Sequence, residues 1–177
     1  MTPASSETAA FGKLPPRVRL DLDAAANALA QARENGGARR VVLTNGGFDL
    51  LHVGHLRLLE AAAELGDFLV VALNDDDSLR GLKGPDRPLV SLAERAELVA
   101  GLRPVALVTS FQEATVERVL RLLKPQVHAK GTDYTEATLP EAAIDRELGV
   151  EMAFVGDSKN HATTQLAARL RGNEVVR

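Results

Sequence analysis

The chain has 177 residues, 45% hydrophobic and 25% charged, with a formal net charge of −3, a balance that suits one globular domain burying roughly 70% of its unfolded surface. Aromatics make up 3%, Trp and Cys are absent, and Lys+Arg 21 fall short of Asp+Glu 24. This argues against stacking platforms or a basic footprint for nucleic acid, and rules out disulfides, thiolate catalysis and Cys-ligated metal.

Met1 to about Arg19 is rich in Thr, Ser, Ala and Pro without periodicity. It reads as a tail (1–20), mobile or strapped to the surface, set apart from a domain over 21–177. Leu22 to about Glu34 carries Ala and Leu at helical spacing, and Gly36-Gly37 stops it. Val41 to Thr44 is a short β-rich run, and Gly54 to Leu65 is helical with Leu56, Leu59 and Ala63 on one face. Phe68 to Leu73 is continuously apolar, as in a strand buried on both faces. Asp75, Asp76 and Asp77 follow as an acidic loop. Ser91-Leu92-Ala93-Glu94 is a capping box that opens a helix to about Ala100. Val105 to Val108 reads as a strand and Thr115 to Leu123 as a helix. Gln126 to Lys130 and Glu151 to Val155 read as strands flanking a helix that starts near Thr138-Leu139-Pro140-Glu141. A last helix spans His161 to Arg171. Alternating strands and helices predict a Rossmann-like, doubly wound parallel α/β sheet of about five strands with helices on both faces. In such sheets ligands bind at the carboxyl ends of the strands. No apolar run approaches 18 residues and no charged and apolar leader opens the chain, so the expectation is a cytoplasmic protein with no membrane partner.

The first strand runs into Asn45-Gly46-Gly47-Phe48-Asp49 and then His52-Val53-Gly54-His55. Paired glycines let the backbone turn tightly and come close to a ligand. Two histidines three apart at a helix start project to one side, beside unpaired N–H groups and a partial positive charge. Such a place suits a polyphosphate. Neither the GxGxxG fingerprint nor the GxxxxGK[ST] phosphate loop occurs. HxGH is not the HExxH zinc pattern, and no metal-ligating set is assigned. Asp49 either meets a ligand or fixes the turn through its side chain. His128 reads as a strand residue, and His161 is assigned nothing.

The uninterrupted HxGH after a Gly-x-Phe-Asp turn resembles the nucleotidyltransferase superfamily marked by that motif. Further matches in order are Asn74-Asp75-Asp76, Lys83-Gly84-Pro85-Asp86-Arg87-Pro88, Arg95, Lys130-Gly131-Thr132-Asp133-Tyr134 and Ala162-Thr163-Thr164. They are most similar to the adenylyltransferase half of bacterial heptose-phosphate enzymes, with glycerol-3-phosphate cytidylyltransferases as close relatives. The resemblance implies transfer of a nucleotidyl group from an NTP, ATP first, to a phosphorylated sugar or polyol, with release of pyrophosphate. It implies His52, His55 and Lys83 as catalytic groups. Asn45, Gly46, Gly47, Phe48, Gly54, Lys130, Gly131, Asp133, Thr163 and Thr164 would bind the nucleotide, and Asp49, Asp76, Arg87 and Arg95 the acceptor. Mg2+ carried by the phosphates and a homodimer complete what it implies. The sequence departs from the family pattern at Gly47, where Cys is usual, and at Ala162, where Ser is usual.

Overall fold

Over the described residues 14–157 of the computed structural model, the chain forms α1 (Leu22–Glu34), β1 (Val41–Gly46), α2 (Val53–Ala63), β2 (Phe68–Asn74), α3 (Asp76–Lys83) and α4 (Leu92–Ala100). There follow β3 (Leu107–Phe111), α5 (Glu117–Leu123), β4 (Val127–Gly131), α6 (Ala142–Leu148) and β5 (Glu151–Val155). The strands make one five-stranded parallel sheet in the order β3-β2-β1-β4-β5. Val41 lies opposite Phe68 on one side of β1, and Val42 opposite Val127 on the other. Winding runs outward through β2 and β3, then reverses through β4 and β5. The reversal opens a crevice at the carboxyl ends of β1 and β4.

Strand periodicity divides the core in two. Val42, Val71, Val108, Val127 and Ala129 face α2 and α4, where Leu59, Ala62, Ala96 and Val99 cover them. Val41, Leu43, Val70, Ala72 and Leu107 face α1, α5 and α6, which supply Ala25, Leu29, Val119, Leu120, Leu123 and Ile144. Sheet residues are thus apolar on both faces, the pattern that made Phe68 to Leu73 readable.

Residues 14–20 follow the second of their two readings, and three later segments differ from the sequence reading. Residues 14–20 are a strap: Val18 is buried, bridges Val108 in parallel, and Arg19 N–H donates to the Val108 carbonyl at 2.8 Å. This covers part of an edge strand that would otherwise expose unpaired backbone groups. Asp75 to Asp77 are not a loop but the start of α3, with the Asp75 carboxylate capping Ser78 N–H at 2.7 Å. α3 escaped notice because it is short and rich in charge, and buries only Leu79. β3 begins later than Val105 and includes Thr109 and Ser110; Ser110 Oγ donates to the Leu20 carbonyl of the strap. The helix expected to start near Thr138 begins later. Thr138 instead closes a turn with Thr135, and α6 starts at Ala142 after Glu141. The helix expected over His161 to Arg171 lies outside the described residues.

Two glycines give opposite stability expectations. A Cβ at Gly66 would stand 2.3 Å from the Arg40 carbonyl oxygen and 2.7 Å from Val42 Cγ2, whereas at Gly81, inside α3, it meets nothing within 4 Å. Gly66→Ala should cost about 1–3 kcal/mol by overpacking against backbone. Gly81→Ala should gain about 0.5–1 kcal/mol from helix propensity. Urea unfolding of the two variants checks both signs.

Candidate active site

Three constraints shape the turn between β1 and α2. A Cβ on Gly47 would meet Leu79 Cδ1 of α3 at 2.7 Å, so with glycine here the Leu79 side chain packs directly on the turn. Phe48 has φ 48, a left-handed conformation that a bulky residue adopts only under external constraint. Its ring is buried and lies 4.9 Å from the His55 ring. The turn is thereby locked before the helix begins.

His52 is the N-cap of α2, with its own side chain making no capping bond and with no acidic residue in the first turn. The positive end of the helix therefore lacks the local carboxylate that usually balances it. The His52 and His55 rings stack at 3.8 Å between centroids, 21° from parallel. Burial, then the nearby His52 and Lys83, lower the His55 pKa to about 4, while a hydrogen bond with the Leu50 backbone opposes the shift. At neutral pH His55 is thus an uncharged imidazole, able to donate through one ring nitrogen but without a charge to neutralise.

The opposite wall comes from β4. Lys130 Nζ is buried, donates to Asn45 Oδ1 at 2.9 Å and lies 4.8 Å above the Tyr134 ring. Burial lowers its pKa, against the pull of Glu141, Asp133 and Asp145. Between the walls is a cavity of about 440 Å³, within the range of small-molecule sites. His52, His55, Lys83, Asn45, Gly46, Gly47, Phe48, Gly54, Lys130, Gly131 and Asp133 all line it. Lys83 is the last residue of α3 and is exposed at the rim. Thr163 and Thr164 lie outside the described residues.

None of the four residues expected at the acceptor lines this cavity. Asp49 is buried, and its carboxylate is used by Arg87 and by the Leu89 and Val90 N–H groups at 2.7 and 3.1 Å. It fixes the loop between α3 and α4, with these bonds made there and not within its own turn. Arg87 points to the same ion pair rather than outward. Arg95 is fully buried, donating to the carbonyls of Val90, Gly47 and Asn74 and to Asp76 Oδ1 at 2.6 Å. These side chains hold the site together from behind.

Several cavity residues had no sequence assignment. Tyr134 carries the Lys130 ammonium, and Gly156, at φ 92, lets β5's end pass within van der Waals distance of Leu58. His128 and Asp145 stand behind the cavity, both fully buried, with Nδ1 and Oδ2 2.8 Å apart. One signal was available for His128: it shares β-strand parity with Lys130 between the apolar Val127 and Ala129, so two polar residues point to one face.

Among the described residues no three His, Cys, Asp or Glu side chains converge on a metal position. An ion here would be held chiefly by substrate oxygens and water, which is the habit of magnesium. No described helix is long and apolar enough to cross a membrane.

A parallel 3-2-1-4-5 sheet with two stacked histidines at a helix N-terminus in its crevice defines an α/β domain of the nucleotidyltransferase class. The chain belongs to the cytidylyltransferase-like family, whose model matches residues 43–173. It is 45% identical over 133 residues to the bifunctional protein HldE of Pseudomonas syringae pv. syringae (strain B728a), covering 75% of this chain and 28% of that protein. It is 43% identical over 161 residues to the bifunctional protein HldE of Geotalea uraniireducens (strain Rf4), covering 88% and 31%. The chain therefore spans less than a third of the length of these relatives. The crystal structure of the lipopolysaccharide core biosynthesis protein from Thermoplasma volcanium GSS1 aligns with a TM-score of 0.59 at 24% identity, over 67% of this chain and 98% of that one. At that identity the likeness concerns the fold.

Removing Asp49 strands the buried Arg87 charge, so Asp49→Ala should cost about 3–5 kcal/mol in urea unfolding. Burial alone would raise the Asp49 carboxyl, but bonds from Arg87, Val90 and Leu89 hold it below 3.8. Its contribution is therefore complete above that value and lost as pH falls through the lower folded value.

His55 has the opposite chemistry and a different window. The unfolded ring takes a proton near 6.5 and the folded one only near 4. Stability from this group is whole above 6.5 and declines as pH falls from 6.5 to 4. The melting temperature of the protein without nucleotide should drop over that interval, and His55→Asn should flatten part of the drop.

Proposed function

We propose that this chain transfers an adenylyl group from ATP to a sugar phosphate, with a heptose 1-phosphate as the first candidate, and releases pyrophosphate. The observation that carries this reading is the convergence of the stacked His52 and His55, the unbalanced α2 N-terminus, Lys83 and Lys130 on one cavity. All of these are hydrogen-bond donors or cations, which suits a triphosphate. The choice of a sugar as acceptor is supported by the relatives named HldE, and ATP as donor by the Lys83 to Pro88 segment, which resembles the adenylyl-transferring branch.

An acceptor phosphate oxygen is already ionised at neutral pH and can attack the α-phosphorus without an enzyme nucleophile. What the protein must supply is alignment and stabilisation of charge on the α-phosphate and the leaving pyrophosphate. The low pKa of His55 fits a neutral donor better than an acid or base at pH 7. His52 and His55 donate to phosphate oxygens, the orphan N–H groups of α2 reinforce them, and Lys83 approaches from the rim. Thr163 and Thr164 complete the phosphate contacts in this reading. Magnesium, when bound, supplies further charge neutralisation on the phosphates.

Pyrophosphate release measured across four NTPs and a panel of phosphorylated acceptors tests the assignment. Release should need an acceptor and favour ATP; turnover at least about tenfold better with CTP, or hydrolysis to NMP at the same rate without acceptor, contradicts it. His52→Ala and His55→Ala should each lower kcat about 10²–10³-fold, as loss of a preorganised donor does. Asn or Gln in their place should recover part of the rate. Amides as inactive as Ala, with a rate that falls as the ring is protonated, would instead indicate a general base.

A further inference from the structure

We propose that His128 and Asp145 are positioning residues that lock the Asn45 amide with its NH2 group presented to the cavity, as a donor to a substrate phosphate oxygen. The proposal rests on the nucleotidyl-transfer reading above.

Asn45 Oδ1 lies 2.9 Å from Lys130 Nζ and 3.0 Å from His128 Nε2. An amide oxygen has two lone pairs, and both are then in use. Turning the amide over would set its NH2 against the Lys130 ammonium, donor against donor. The orientation is thus dictated by the donors that face it. It follows that His128 Nε2 carries a proton and donates. The other ring nitrogen meets Asp145 Oδ2 at 2.8 Å, so one further proton sits between ring and carboxyl. Asp145 Oδ1 has no hydrogen-bond partner among the described residues, so the ring is the contact through which this buried carboxyl acts. Orientation is passed from α6 through β4 to the end of β1.

The Asn45 Nδ2 group meets no acceptor among the described residues, and Asn45 lines the cavity between the two walls. With the oxygen committed, a donor is all this side chain can offer a ligand. Phosphate oxygens are the acceptors that the cationic surroundings favour. An apolar pair of similar volume in place of His128 and Asp145 would serve packing as well or better. It could not hold an amide in one orientation.

The first test needs no substrate. Nitrogen-15 shifts of the His128 ring should show Nε2 protonated from about pH 6 to 8; an unprotonated Nε2 overturns the proposal. The second is a double-mutant cycle on pyrophosphate release. His128→Leu should lower kcat/KM about tenfold in the wild-type background and less than about twofold in Asn45→Ala. An equal loss in both backgrounds would assign His128 to packing alone and overturn it. His128→Gln keeps an N–H near the Nε2 position and should restore activity to within about threefold of wild type. If the Leu variant does not fold, the Gln variant decides, since a loss as large as that of Asn45→Ala overturns the proposal. A rise in KM for ATP or for the acceptor identifies which phosphate Asn45 meets. A wild-type protein that releases no pyrophosphate with any pair contradicts the functional reading, while the ring shifts still decide the Asn45 orientation.

Discussion

Four chain segments that reach the carboxyl edge of the sheet meet on one guanidinium. Arg95, on α4, takes the carbonyl of Gly47 after β1, of Asn74 at the end of β2 and of Val90 before α4, with the Asp76 carboxylate at the start of α3. Each carbonyl belongs to backbone that has just left regular structure and would otherwise lack a buried donor. A planar cation with five N–H groups can serve several at once, which an ammonium could not do in the same geometry. Burying that charge is costly, and the bonds recover the cost only when all partners are in place. The arrangement therefore specifies one geometry for the turn, α3 and the following loop together. Asp49 repeats the device in the opposite sign, as a buried anion that gathers Arg87 and two backbone N–H groups.

What these anchors support is a cavity whose two walls have different electrostatics. On the α2 wall His55 is held uncharged at physiological pH by burial and by neighbouring His52 and Lys83. The wall's attraction for anions comes from oriented N–H groups, which need no reorganisation when a ligand arrives. The β4 wall holds a formal cation, Lys130, which burial weakens and three carboxylates sustain. A polyanion between them would be gripped by dipoles on one side and by charge on the other. That division also explains why neither wall contains a cluster of carboxylates able to hold a metal by itself among the described residues.

The relation to longer relatives gives the domain its context. The relatives named bifunctional share 41–46% identity with this chain where they match, and the match takes up about a third of their length or less. The resemblance thus concerns one module, and the sheet of that module is closed at β3 by the strap of residues 14–20.

Much of this was legible in the sequence, because local rules produced it. The apolar runs at Val41 and Phe68, the capping box at Ser91 and the parallel order follow from periodicity and short connections. The cavity residues from Asn45 to His55, with Lys83 and Lys130, follow from the motif, since a turn between a strand and a helix is set by its own residues. Identity of partners across space was not legible. Asp49, Arg87 and Arg95 are charged residues near a motif, and sequence placed them at a ligand; the tertiary structure turned them inward, where they bind backbone and one another. His128 looked like an ordinary strand residue until α6 set Asp145 against it, 17 positions away. α3 is short and rich in charge, with Leu79 its one buried side chain, so its sequence reads as an acidic loop. Backbone hydrogen bonding and burial of apolar faces act over a few residues and can be read in order. Pairing of buried charges depends on which segments the sheet brings together, and only the folded chain decides that.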